Sequence, residues 1–300
     1  MLAGQEKSVL TYDVGGSHVS AAVFDHSTGR LGSYASARYP TEQSTEAFLQ
    51  VLFSLADEAT ADHAPILGAS LAMPGPFDYI AGISWMKHKL TYLYGFDLRN
   101  ALAKHFGLDA AKVRFLNDAA AFAWGEVGGG AARDVERAVG ITLGTGIGSG
   151  FAIDGKVVTE GPGVPPGGEI WNLPYKDATV EDRLSTRAIQ NRYREQTGLD
   201  REVSVIAASA PTDPVATEVF AEFGLHLGET FREILSPFAP QVVVLGGGIS
   251  RSSQLFLPAA YQGLAGMQLE LRPSILKDQA PLVGAGVSWF SADQSATAAS

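Results

Sequence analysis

The 300-residue chain has no cysteine. Disulfides, thiolate nucleophiles, iron–sulfur clusters and Cys-ligated zinc are thereby excluded. Charge is also sparse, with Asp, Glu, Lys and Arg making up 18% of residues, and the basic share is the smaller one. Against 32 Asp and Glu there are 22 Lys and Arg, a formal net charge of −10. So few cations do not neutralise phosphates along an extended surface, which argues against nucleic-acid or anionic-membrane partners and leaves room only for a local basic pocket. No apolar run approaches the ~20 residues a membrane span needs. The amino terminus, MLAGQEKSVLTYDVGG, lacks the basic-then-apolar pattern of a secretory signal. The expected location is the cytoplasm. Apolar residues are plentiful at 46%, with 34 Gly and 15 Pro scattered among apolar runs, which is a globular composition. At roughly 150 residues per domain, the length predicts about two domains.

Short β-prone runs at Ser8–Val14, Val19–Asp25 and Leu31–Arg38 predict an antiparallel meander. Phe48, Val51, Leu52, Leu55, Ala56 and Ala59 recur at three- and four-residue steps, predicting a helix across Ser44–His63. A buried strand, Ile66–Ala72, stops at Met73-Pro74-Gly75-Pro76. A helix Leu98–Phe106 follows, capped by Asp97 and closed by Gly107, and then a strand Val113–Leu116. The opening theme returns: with a constant offset of 129 and no gap, Gly15 matches Gly144, Ser20 matches Ser149 and Asp25 matches Asp154. Any Gly-rich hairpin aligns about as well, so an internal repeat and chance both stand at this point. Further on come a Gly/Pro-rich loop (Thr159–Gly168), a helix capped by Thr179 with Asp182 three residues later, and a long helix from Asp213-Pro214 to about Leu235. The buried strand Gln241–Leu245 and a final helix near Pro281–Phe290 complete the pattern. The expectation is an α/β chain of two domains with a central cleft. Residues 1–116 with 281–291 form the smaller domain, 117–280 the larger, and 292–300 a frayed tail.

Four segments can carry chemistry. Asp13-Val14-Gly15-Gly16-Ser17 is either an ordinary hairpin turn or a strand-end carboxylate beside backbone N–H groups open to a magnesium–phosphate group. Asn117-Asp118-Ala119 stands where a strand gives way to a helix, so Asp118 is either a cap or a general base accepting a proton from a hydroxyl, oriented by Asn117. Leu143-Gly144-Thr145-Gly146-Ile147-Gly148-Ser149-Gly150 reads as a loop too glycine-rich for one tight turn, or as a glycine bulge. It is neither a Walker A loop nor a Rossmann fingerprint. Val242–Leu245 runs into Gly246-Gly247-Gly248, a flat surface for a planar ring. Gly168-Glu169-Ile170-Trp171-Asn172 and Val180–Ser185 supply paired carboxylates and an amide, suited to several sugar hydroxyls or simply to solvent, and Asp182 and Arg183 are read as a solvated helical turn.

In order and separation these motifs resemble the ROK family of sugar kinases, in glucokinase-like form, within the actin, sugar kinase and Hsp70 superfamily. The resemblance covers about residues 8–290 and implies two ribonuclease H-like domains, which would account for the repeat. It implies ATP- and magnesium-dependent phosphorylation of a hexose, at the 6-hydroxyl, with Asp118 as general base. By the same resemblance Asp13 sits by the magnesium, through phosphate or water. Gly15, Gly16 and Ser17 lie near the γ-phosphoryl group, Gly144, Thr145 and Gly146 form a second phosphate loop, and Gly246, Gly247 and Gly248 border the adenosine. Asn117, Asp118, Glu169, Asn172 and Glu181 would bind the sugar. The family's common zinc motif has a His where Asn172 stands and three cysteines this chain lacks, so no zinc is expected. At Met86-Lys87-His88-Lys89-Leu90 members often carry an Asn; here the loop either faces solvent or meets an oxygen-rich or anionic substituent of the sugar. A homodimer is implied. The family also contains sugar-sensing repressors, and a sugar-binding protein without turnover is the alternative. A position as early as Asp13 and the net charge disfavour a DNA-binding relative.

Overall fold

The computed structural model describes residues 7–39, 43–61 and 65–297, the side chains of 292–297 excepted. It divides into two compact units: one reaches Gly129 and takes in the chain from Gln279 onward, and the other is Gly130–Asp278.

The first unit is built on a five-stranded sheet whose order is Arg30–Arg38, His18–Asp25, Ser8–Val14, Ala69–Met73 and Val113–Asn117. The first three strands form the expected antiparallel meander, and the last two lie parallel to Ser8–Val14. Ser8–Val14 is central because its apolar residues are buried on both faces: Val9, Leu10, Tyr12 and Val14 have no exposed surface. Thr11 is equally buried and satisfies its hydroxyl by donating to the Ala22 carbonyl at 3.0 Å. Leu10 and Tyr12 share a core with Leu52, Phe48 and Leu71, each such side chain contributing about 1.5–3 kcal/mol on burial.

Local signals set the helices of this unit. Ser44 caps Thr45–Thr60 by accepting from Ala47 N; of the span predicted beyond it, positions 62 and 63 lie outside the described residues. The strand expected at Ile66–Ala72 runs Ala69–Met73 instead. Helix Leu98–Phe106 has the predicted bounds, with the Asp97 cap and Gly107 at φ 64°. Helix Asp118–Gly128 lies against helix Ala280–Thr297. A Cβ on Gly125 would overlap the Ala280 carbonyl, and one on Gly284 the Ala121 carbonyl. Two backbones in direct contact tolerate nothing larger than glycine. This packing puts residues 118–128 in the first unit, so the boundary lies at 129/130 rather than 116/117. The same helix runs on through Thr297, well past the Phe290 end that was expected, so 292–297 are helical and only 298–300 of the expected tail lie outside the described residues.

The second unit repeats the topology: Lys156–Val158, Ile147–Ile153, Arg137–Leu143, Val242–Gly246 and Glu270–Pro273, three antiparallel strands and then two parallel ones. Arg137–Leu143 is Ser8–Val14 displaced by 129 positions, and Ile147 likewise answers His18. The ladders differ by one residue. Val14 pairs with Val19 but Leu143 pairs with Ile147, so the first hairpin turns through four residues and the second through three. The ungapped offset therefore matches strands but not their pairing. Only Gly144–Gly146 forms the turn; Gly148 and Gly150, expected in a loop, are strand residues paired with Thr142 and Gly140. Helix Pro214–Thr230, capped by Asp213, widens into a π-helical turn at Phe231–Leu235. The Thr179 cap is a full capping box with Asp182, on a helix of one turn, Val180–Arg183.

Candidate active site

In the first unit the carboxyl ends of three parallel strands share one sheet edge, the place where open α/β sheets hold ligands. Asp13 pairs with Ala72 and Ala72 with Leu116. At two strand spacings this puts the Asp13 backbone roughly 10 Å from that of Leu116. Asn117 and Asp118 follow at once, and Gly15, Gly16 and Ser17 form the turn beyond Asp13, closed by Gly15 N donating to His18 O at 3.0 Å. Asp13, Asn117 and Asp118 are half-buried; Gly16 and Ser17 are exposed.

Asn117 caps the helix and Asp118 is its first residue, which removes the reading of Asp118 as the cap. Asn117 Oδ1 accepts from Ala119 N and Ala120 N at 2.9 and 3.1 Å, while Asp118 Oδ1 also accepts from Ala119 N at 2.8 Å. The positive end of the helix favours the negative charge there. The other end of the Asn117 amide is fixed too, Nδ2 donating to the Tyr79 hydroxyl at 3.2 Å while that hydroxyl donates to Met73 O at 3.3 Å. Beside Asp13, Tyr39 donates to Gly15 O at 2.7 Å. Burial pushes the Tyr39 phenol far up from its ordinary value, with Tyr92 and then Asp13 adding to the rise. Neither tyrosine was singled out in the sequence, since both act across long chain separations. Lys87, His88 and Lys89 are exposed between buried Met86 and Leu90, as a solvent-facing loop would be.

The second unit gathers the other expected residues. The turn Gly144, Thr145, Gly146 is fastened by Gly144 N donating to Gly146 O at 2.9 Å and by Thr186 N donating to Gly144 O at 2.7 Å. Its neighbour is the Gly246-Gly247-Gly248 segment, where Gly247 has φ 82° and a Cβ would overlap the Leu143 carbonyl. Gly247 thus has a structural requirement of its own. At Gly16, Gly144 and Gly248, by contrast, an added Cβ would meet nothing within 4 Å, and φ is not in the left-handed region. Packing does not ask for glycine at those three positions.

Glu181 is half-buried against the same turn. Its Oε2 accepts from Ile147 N at 3.4 Å, and a Cβ on Gly146 would overlap that oxygen. Glu169 and Asn172 are exposed. The segment bearing these residues is pinned to helix Pro214–Thr230 through the hairpin Pro174–Tyr175 and Ala178–Thr179. Tyr175 donates to Glu229 at 2.6 Å, Lys176 Nζ lies 2.7 Å from the same carboxylate, and His226 Nδ1 lies 3.1 Å from the Tyr175 hydroxyl. Lys176 and Tyr175 hold the Glu229 carboxyl below its usual range, while burial first and Lys176 second lower the His226 imidazole. Arg183 pairs with Asp177, and Asp182 with Thr179 and Arg187, in exposed pairs on the solvated turn that was expected.

Two sheets of identical topology, each with glycine turns at its strand ends, define an α/β protein of the actin-like ATPase fold built from ribonuclease H-like units. A solved structure of this fold, the ROK hexokinase from Thermus thermophilus, superposes with a TM-score of 0.79 at 25% identity, covering 96% of this chain and 99% of that one. The chain belongs to the ROK family, whose model matches residues 9–291. It is 27% identical over 267 residues to an N-acetyl-D-glucosamine kinase of Vibrio parahaemolyticus serotype O3:K6, covering 82% of this chain and 85% of the relative. It is also 28% identical over 228 residues to a glucokinase of Thermotoga maritima, 67% and 69% covered. Both of these relatives are carbohydrate kinases. Among the described residues no helix is long and apolar enough to cross a membrane.

Proposed function

We propose that this protein transfers the γ-phosphoryl group of ATP to the 6-hydroxyl of a hexose, with Asp118 as general base. The observation that carries this reading is the half-buried Asp118 carboxylate at a helix start, on the sheet edge that also carries Asp13 and the Gly15–Ser17 turn. Phosphoryl transfer needs positioning and charge neutralisation more than covalent help. Asp118 takes the proton of the attacking hydroxyl, a contribution of about 10²–10⁴-fold for a positioned base. Asn117, Asp118, Glu169, Asn172 and Glu181 accept from or donate to the sugar's hydroxyls. Gly15, Gly16 and Ser17, with Gly144, Thr145 and Gly146, offer backbone N–H groups to phosphates, and Gly246–Gly248 border the adenosine. Open space above Gly16, Gly144 and Gly248 supports this, because a ligand supplies the reason for glycine that packing does not.

Magnesium fits this donor set through Asp13. Among the described residues no group of three His, Asp or Glu side chains could hold an ion, so one carboxylate is supplemented by water and phosphate oxygens, the usual manner for this hard cation. Bound there, the ion neutralises phosphate charge. A coupled assay for ADP release across a panel of glucose, fructose, mannose and N-acetylated hexoses tests the reading, with polyphosphate as a second donor. Hexose-dependent ADP release supports it; hexose binding without any phosphorylated product, from either donor, would assign a sugar-binding role in its place.

A further inference from the structure

The segment carrying Glu169, Asn172 and Glu181 also holds a large aromatic residue with no part in the proposed chemistry. Trp171 is 44% exposed, yet it is firmly engaged. Its Nε1 donates to Glu169 Oε2 at 2.8 Å, and its carbonyl accepts from Glu181 N at 3.0 Å. Glu181 in turn reaches Ile147 N, where the Gly144–Gly146 turn re-enters the sheet. One residue therefore touches the Glu169 carboxylate through its side chain and the Glu181 backbone through its own carbonyl.

An exposed glutamate otherwise samples several rotamers, and each is lost when a ligand selects one. A donor at the indole edge selects one beforehand and occupies Oε2, leaving Oε1 for a hydroxyl. The ring itself is rigid, and its solvent-facing part is an apolar surface of the kind that pyranose C–H groups cover.

We propose that Trp171 is a positioning and specificity-determining residue for the hexose: its N–H sets the Glu169 carboxylate, and its ring face receives the C–H face of an uncharged pyranose. The Glu169 carboxylate at the indole edge disfavours uronic acids and sugar phosphates at the same position. The inference rests on the assignment of Glu169 and Glu181 to sugar hydroxyls.

The test is Trp171→Phe, which keeps a ring and removes the donor, alone and combined with Glu169→Gln. Loss of a hydrogen bond to a carboxylate predicts about a ten-fold rise in hexose KM, with ATP KM changed less than about two-fold. In the Glu169→Gln background the same substitution adds less than about two-fold, because the partner charge is gone. Hexose binding followed by calorimetry gives the same ratios where turnover is slow. An unchanged hexose KM and Kd, equal rises for ATP and hexose, or full additivity with Glu169→Gln each overturn the inference. Absence of both hexose binding and hexose-dependent turnover in the unsubstituted protein overturns instead the reading on which it rests.

Discussion

Gly146→Ala examines how the Gly144–Gly146 turn and Glu181 depend on each other. The added Cβ would overlap Glu181 Oε2 and stand 3.1 Å from Cδ, so the carboxylate must swing away by roughly 1 Å to regain van der Waals separation. The bond from Ile147 N, already 3.4 Å, does not survive such a shift. A hydrogen bond to a charged group is worth about 1.5–3 kcal/mol at good geometry, and at this length about 1 kcal/mol is the reasonable share. For a chain of this size that lowers Tm by roughly 2–4 °C. The functional effect is larger, because a carboxylate assigned to a sugar hydroxyl is displaced: hexose KM should rise about ten-fold or more. Differential scanning calorimetry reads the first effect and the coupled ADP-release assay the second. The double variant with Glu181→Ala should be no worse than Glu181→Ala alone, since no carboxylate remains to be pushed aside. A Gly146→Ala protein with unchanged Tm and hexose KM, or one whose defect adds fully to that of Glu181→Ala, would refute the reasoning.

Other consequences are open to measurement. Tyr79→Phe removes the acceptor for Asn117 Nδ2 and the donor to Met73 O while keeping the ring, so hexose KM should rise by roughly three- to ten-fold and Tm fall by roughly 2–4 °C; steady-state kinetics and a thermal melt check both. Gly284→Ala drives a methyl group into the Ala121 carbonyl and should cost about 1–3 kcal/mol in chemical denaturation, with loss of activity as the Asp118 helix shifts. The lowered His226 value makes the unfolded chain bind the proton first, so stability falls as pH drops below His226's ordinary 6.5. Glu229, also lowered, adds a further decline below its ordinary 4.5. His226→Gln should flatten the upper part of that profile, as melts between pH 7 and 4 would reveal.

Features with local causes were legible in the sequence. Helix Leu98–Phe106 carries its own start and stop, since Asp97 accepts from Asn100 N and Gly107 adopts φ 64°. The repeat at an offset of 129 was visible because strand, turn and strand are short and contiguous. Its one-residue difference in ladder was not, since pairing depends on which residues the turn consumes. Gly148 and Gly150 resemble loop residues in sequence, but they sit in a strand paired with Thr142 and Gly140, where the backbone ladder outweighs weak propensity. The domain boundary was misplaced for a non-local reason: Gly125 and Gly284, far apart in the chain, bring two helix backbones together. Among the candidate site residues, the glycine turns and Asp118 stood out through residue type and order. Tyr79 is 38 positions from Asn117, and no pattern of spacing announces such a partner. Trp171 was visible as a residue, but its bond to Glu169 depends on the fold of an irregular segment.

The most direct measurement is single-turnover phosphoryl transfer by Asp118→Asn, made alongside calorimetric binding of the hexose preferred by the unsubstituted protein. Removing the base predicts a drop of about 10²-fold or more in the transfer rate, with hexose Kd within roughly ten-fold of the original because an amide still hydrogen-bonds a hydroxyl. A variant that transfers the phosphoryl group at the original rate would contradict the assignment of Asp118 and with it the mechanism built around that carboxylate.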